Sequence, residues 1–175
     1  LASMNSRARA RSLVEAHQLA FRESPLFSNI TLLDPLGQSR RELSVTTVLA
    51  WLLDPRSPHE FGDVFLRALL AHLDEDSATV DMLLRANASE LSVFTEFTTD
   101  SRRRADIVIT SRRAALVIEA KVDAKEGVDQ TSDYAAYFTE KFDNVCFVFL
   151  APLGVEPKSG DFKPLRYLEL CRVLM

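Results

Sequence analysis

Two acids and a lysine mark the ends of the apolar runs in "ADIVITSRRAALVIEAK", Ala105 to Lys121. Asp106 opens the first run, and Glu119 and Lys121 close the second. Runs of Val, Ile and Leu build strands, from which Asp, Glu and Lys are depleted. A carboxylate buried without a partner costs several kcal/mol, so these residues are either surface groups at strand ends or a site. If the chain reverses between Arg112 and Arg113, residues whose numbers add to 225 face one another, and Asp106 stands opposite Glu119. Opposed side chains in an antiparallel pair have Cβ atoms roughly 4.5–5.5 Å apart. Two carboxylates that close resist joint ionisation. A divalent cation between them reverses this, and Mg²⁺ accepts carboxylate oxygens at about 2.0–2.1 Å while keeping several waters. Lys121, two residues beyond Glu119, projects from the same sheet face. Ala120 points away, and its carbonyl is available as a further metal ligand.

Acid-any-lysine is a weak pattern by itself. It occurs four times here, as Glu119/Lys121, Asp123/Lys125, Glu156/Lys158 and Asp161/Lys163. Only the first directly follows a strand-like run. In the same register Asp123 would face Arg102, beyond the core of the ladder. Spacing alone leaves Glu119 and Lys121 open to a second reading, an ordinary surface pair at a strand end.

The elements that must hold these residues are readable from period and punctuation. Ser6 to Glu23 reads as a helix stopped by Ser24 and Pro25. "RELSVTTVLAWLLDP" has Leu43, Val45, Val48, Leu49, Leu52 and Leu53 near helical period, with Trp51 read as core and Asp54-Pro55 as the stop. Asp63 caps a helix whose inner face is Phe65, Leu66, Leu69, Leu70 and Leu73, and a short helix is expected at Val80 to Arg85. The period then changes. Leu91–Phe97, Ala105–Thr110, Ala114–Lys121 and Asn144–Leu150 read as strands, and Val128 to Lys141 as a helix between the third and fourth. Three consecutive strands form a meander, and the helix carries the chain to a further position in one mixed sheet. Residues 151–164 read as a Pro/Gly-rich loop before a last helix in "LRYLELCRVLM". The fold class expected is α/β (α+β), one domain over 4–175, with a mainly helical part at 4–88, a sheet and helix at 89–150, and a loop and helix at 151–175. The residues before Met4 carry no structural weight, and the unfinished last helix suggests a natural chain that continues past Met175.

The 175 residues are 47% hydrophobic, enough for one core without staples. Cys146 and Cys171 form neither a disulfide framework nor a zinc pattern, which fits a reducing cytoplasm, and Cys146 reads as a buried free thiol. No apolar run spans a bilayer. The net charge of −4 counts against a general nucleic-acid binder. Arginine, however, supplies 16 of the 21 basic residues and clusters at Arg102/Arg103/Arg104 and Arg112/Arg113. The first cluster leads into Asp106 and is well placed for phosphate contact; both also fit solvated turns.

"TEF…RRRADIVIT…AALVIEAKVDAKEGVDQTSDY" resembles the PD-(D/E)XK nuclease superfamily, in particular a bacterial branch with Glu, Arg-x-Asp-Ile, Glu-x-Lys and Gln-x-x-x-Tyr in that order. The likeness runs from about Arg41 to Leu150. It implies a restriction-endonuclease-like αβββαβ core with helices ahead of the sheet. Asp106 and Glu119 match the metal acids, Lys121 the catalytic lysine, Gln130 and Tyr134 the following helix motif, Glu96 the acid of the first strand, and Glu42 the accessory acid of the preceding helix. Ala105 stands where the superfamily's name places proline, and Ala120 where this branch often has asparagine; neither removes a required group.

The resemblance implies a cytoplasmic, Mg²⁺-dependent nuclease, with Mn²⁺ able to substitute, that hydrolyses phosphodiester bonds, in DNA rather than RNA. Asp106, Glu119 and Ala120 would hold the metal. Glu96, Lys121 and Gln130 would serve catalysis, and Arg102, Arg103, Arg104 and Tyr134 would contact substrate. One site per chain fits nicking, or a homodimer cutting both strands. Two other readings stand beside this one. An inactive nuclease-fold module could bind nucleic acid or protein, although an intact acid–acid–lysine set argues against it. A nucleotide phosphoesterase would lack an obvious Gly-rich phosphate cradle.

Overall fold

The structure is a computed structural model that describes residues 42–73, 77–122 and 126–174. The expected helix at Ser6–Glu23 lies outside these residues, as do Asp123 and Lys125. The helices ahead of the sheet are α1 (Glu42–Leu53), α2 (Val64–Leu73) and α3 (Ala78–Arg85). Apolar period dictates which side each buries, with one correction. The buried stripe of α1 is Thr46, Leu49, Ala50 and Leu53. Leu43, Val48 and Trp51 are exposed, Trp51 by 43%. Thr46 can turn inward because its hydroxyl is satisfied by the Glu42 carbonyl at 2.9 Å. Trp51 instead meets His59 edge to face at 5.0 Å. His59 fastens the turn after α1, accepting from the Phe61 N–H at 3.0 Å and reaching the Asp54 carbonyl at 3.1 Å.

The strands are β1 (Ser92–Thr98), β2 (Arg104–Thr110), β3 (Ala114–Ala120), β4 (Asn144–Ala151) and β5 (Phe162–Arg166), joined in that spatial order. The first three form an antiparallel meander, and β4 and β5 add parallel to it. Helix α4 (Gln130–Lys141) makes the crossover from β3 to β4, and α5 (Tyr167–Leu174) ends the described chain.

β5 lies in the stretch read as loop. Lys163 and Pro164 break its apolar pattern, and an edge position tolerates the proline because only one side of the strand needs ladder bonds. Phe162 and Leu165 supply its buried contacts.

Two cores sandwich the sheet. One is aliphatic, with Leu49, Leu53, Leu66, Leu69 and Leu70 of α1 and α2 packed against Ile107, Ile109, Leu116, Ile118 and Val148. The other is largely aromatic, with Tyr134 and Phe138 of α4 against Val108, Val117, Phe147 and Phe149. Every residue of β3 is buried, as expected for a central strand covered on both sides. Among the described residues no helix is long and apolar enough to cross a membrane.

Candidate active site

The β2–β3 register is the one that places Asp106 across from Glu119. Its ladder runs from Thr110↔Ala115 to Ile107↔Ile118 and stops there. β3 stays bonded to β4 through Glu119↔Phe149 and Ala120↔Leu150, and the Lys121 N–H continues to the Leu150 carbonyl at 2.8 Å. β2 is also released on its other edge. β1 pairs Thr95↔Ile107 and Phe97↔Ala105 but skips Glu96 and Asp106. Glu96 has φ 50°, a left-handed conformation that a side chain rarely adopts. Alternation fails at the same point, for Ile107 joins the aliphatic core while Ala105, two residues away, joins the aromatic one. Asp106 therefore sits where β2 is free of both neighbours, and its Oδ2 takes the Ala120 N–H at 2.8 Å.

Glu119 and Lys121 share the face turned to α4. Glu119 is 0% exposed and Lys121 6%. The Lys121 ammonium donates to Glu119 Oε1 at 2.5 Å. Gln130 Nε2 donates to the same oxygen at 2.7 Å and to the Tyr134 hydroxyl at 3.1 Å. That hydroxyl donates to the Arg104 carbonyl. Gln130 and Tyr134 thus span the gap between the start of β2 and the end of β3, where no ladder bond does so. Tyr134 is buried, and its hydroxyl, given to the Arg104 carbonyl, ties the start of β2 to α4.

The loop before α4 fixes Gln130 itself. Asp129, at the helix N-cap, is in the left-handed region and makes no side-chain cap bond. Glu126 caps in its place, accepting from the Thr131 N–H at 3.2 Å and hydroxyl at 2.6 Å, and from the Lys158 N–H at 2.8 Å. The Gly127 N–H donates to Gln130 Oε1 at 3.1 Å, which orients the amide.

Glu42 enters from the opposite side of the sheet. In place of a purely local role in the first turn of α1, its Oε1 accepts the Val122 N–H at 3.1 Å, just past β3. Its charge acts on Asp106, Glu119 and Lys121 together.

The arginines are mostly engaged. Arg103 pairs with Asp133 at 2.5 Å and donates to the Val128 carbonyl at 2.9 Å, and Arg104 pairs with Glu96 at 2.6 Å. Arg102 is exposed on a left-handed turn residue, with φ 60°. A cavity of about 300 Å³ lined by Met82, Arg85, Arg112 and Arg113 lies by the β2–β3 turn, at the far end of the hairpin from the acids.

Burial shapes the electrostatics. Burial first, then repulsion from Asp106, pushes Glu119 up to about 8 despite the Lys121 ammonium. Asp106 is raised by burial and by Glu42, against the opposing pull of the Ala120 N–H and Lys121. Burial alone would lower Lys121, but Glu119, Asp106 and Glu42 outweigh it, so the amine stays above its usual range and carries its charge. Glu119 Oε2 is buried with no hydrogen-bond partner. Such an orphaned oxygen beside a second carboxylate is the feature a cation would satisfy. Among the described residues no three His, Cys, Asp or Glu side chains form a metal cage by themselves. A cation here would need backbone or water ligands besides the acids.

One further residue stands near these acids without having been singled out by the sequence. Tyr167, the first residue of α5, packs against the aliphatic core and has a buried hydroxyl with no partner. Burial, then Glu42 and Asp106, push its phenol up, so the hydroxyl lies within the field of both acids. Its only signal in the sequence was a tyrosine in an apolar helix, which is indistinguishable from packing.

A meander, a crossover helix and a fourth strand, with two acids and a lysine at the open end of the hairpin, form a restriction-endonuclease-like fold. The model of the PD-(D/E)XK nuclease superfamily matches residues 31–170, and the chain belongs to that superfamily. Its members are usually hydrolytic nucleases that generally use divalent metals. No curated protein and no solved structure was found to match the chain.

Proposed function

We propose that this protein is a Mg²⁺-dependent nuclease that hydrolyses phosphodiester bonds in DNA, with Mn²⁺ able to replace Mg²⁺. The observation that carries the reading is the buried Glu119–Lys121 pair beside the half-buried Asp106, at the point where β2 and β3 part. Burying a carboxylate and an ammonium next to a second carboxylate is expensive for a fold, and packing alone gives no reason to keep them.

Asp106 and the orphaned Oε2 of Glu119 are the ligands offered to the cation. The Ala120 carbonyl is the third, because a strand residue's N–H and C=O leave the backbone on the same side and its N–H already points to Asp106. Bound there, a divalent cation supplies Lewis-acid polarisation of the phosphoryl group and a more acidic water. Lys121 stays charged and is held by Glu119, so it offers a fixed cation to the charge that develops on phosphoryl oxygen. Gln130 fixes the Glu119 carboxylate, which leaves Oε2 available. Glu42 adds negative charge and so favours cation binding, and Glu96 tethers Arg104. Arg102, the arginine of its cluster without an ion pair among the described residues, is the one most open to a phosphate. Arg103 and Arg104 are held by Asp133 and Glu96, which leaves them their remaining N–H donors for a substrate.

The test is cleavage of plasmid, single-stranded DNA and RNA, with and without Mg²⁺, by the parent, Asp106→Ala and Glu119→Ala. Metal-dependent cleavage of DNA that both substitutions abolish is expected. Cleavage that survives both would remove the site, and cleavage of RNA alone would change the substrate.

A further inference from the structure

The Tyr167 hydroxyl is buried and without a protein partner. A hydroxyl left so costs about 1–3 kcal/mol, and phenylalanine would fill the same space without that loss. The ring already has a packing role against the aliphatic core, so the oxygen is the part that needs explaining. The nearby charged groups are carboxylates, Glu42 from the N-terminus of α1 and Asp106 from the released point of β2. Carboxylates accept hydrogen bonds and cannot donate them, whereas a phenol does both. A water is held in a protein interior when it finds two to four polar partners. One donor hydroxyl within the field of two acceptor carboxylates offers that number.

Chain geometry brings the three together. β5 runs parallel to β4 with Ala151↔Arg166 as its last pair, so Tyr167 follows directly from the ladder at the level of the Ala120↔Leu150 end of β3. Glu42 is anchored to that same end by the Val122 N–H. Elements distant in sequence thus deliver the phenol and both acids to one end of the sheet.

We propose that Tyr167 is a positioning residue of the site, its hydroxyl holding a water between the carboxylates of Glu42 and Asp106. The inference rests on the nuclease reading for its catalytic consequence but not for the water itself. Orientation of that water by three groups fixes how the Asp106 carboxylate is presented to a cation.

Tyr167→Phe deletes one oxygen and keeps the ring, so the fold is not at risk, and Tyr167→Leu deletes both. Two readouts are needed, Mn²⁺ affinity by calorimetry and steady-state cleavage of DNA in Mg²⁺. With Phe, Mn²⁺ affinity should fall several-fold and kcat about tenfold or more, the scale of one hydrogen bond to a charged group, while KM for DNA changes less than kcat. Melting temperature should hold or rise. Parent-like affinity and kcat in Tyr167→Phe would overturn the proposal, as would impairment of Tyr167→Leu alone, which would assign the role to the ring. If the parent cleaves nothing, the nuclease reading fails, and the Mn²⁺ affinities alone then decide: a several-fold loss supports the water, and no loss removes it.

Discussion

The two ends of the β2–β3 hairpin are built from one ladder and carry similar numbers of charges, yet they treat them oppositely. At the turn, Ser111 closes the hairpin through its N–H to the Ala114 carbonyl, and Arg113 pairs with Asp143 at 2.8 Å with both side chains largely exposed. At the other end the ladder has stopped, and Glu119 and Lys121 are paired at 2.5 Å in near-complete burial. An exposed pair contributes about 0–1 kcal/mol because water and salt screen it. A buried one carries a desolvation penalty that its own attraction can fail to recover. The turn end therefore tolerates its charges, while the open end is held in shape by α1, α4 and α5 around charges the fold would be easier without. The same residue types are solvated surface groups in one place and buried, mutually perturbed groups in the other, because different elements cover them.

The largest contrast should come from Lys121→Ala. It removes the buried cation but no proposed ligand, so Mn²⁺ binding measured by calorimetry should persist while cleavage falls about 10²–10⁴-fold. Loss of metal binding together with cleavage would make Lys121 structural.

The second effect is on pH. Glu119 is raised to about 8, so a cation must displace its proton below that point. Apparent Mn²⁺ affinity should climb by up to about tenfold per pH unit towards pH 8 and then level off. Without metal the linkage has the opposite sense. The folded state holds a proton that the unfolded chain releases from about 4.5 upward, so this group's contribution to stability falls as pH rises between its ordinary value of 4.5 and about 8. A flat affinity profile over that window would place the proton elsewhere.

Asp106→Asn keeps an acceptor for the Ala120 N–H and deletes a charge that repels Glu119. Metal-free protein should melt higher, by about 1 kcal/mol or ~2–4 °C. A lower melting point would mean that the hydrogen bond outweighs the repulsion. At the turn end, Arg113→Ala should shift stability by no more than about 0.5 kcal/mol and leave cleavage unaltered. A larger change would dissolve the contrast between the two ends.

Much of this was legible beforehand. The four strands and the crossover helix announce themselves by period, and the register follows from placing the turn between Arg112 and Arg113, since a side-chain period of two leaves little freedom once one pair is fixed. Asp106, Glu119 and Lys121 stand out because carboxylates and amines are rare where strands should be. The misses have physical reasons as well. β5 was hidden by Lys163 and Pro164, acceptable only because a parallel neighbour on one side suffices at an edge. Trp51 was assigned to the core on hydrophobicity alone, while the inward face of α1 went to Thr46 and Ala50, smaller side chains at the same period. The spacing of Gln130 and Tyr134 put them on one face of α4 but could not show that the Tyr134 hydroxyl would reach the Arg104 carbonyl, 30 residues away in the chain.

Local composition by itself determined the strands, the main helices and the three candidate side chains Asp106, Glu119 and Lys121, because those depend on residue type and spacing over a few residues. Only the tertiary structure decided that the ladder ends at Ile107↔Ile118, that Gln130 and Tyr134 bridge the resulting gap, and that Glu42 and Tyr167 arrive from the far side of the sheet. Burial and hydrogen-bond partners come from elements far apart in the chain, and it is these that raise Glu119 to about 8 and leave its Oε2 without a partner.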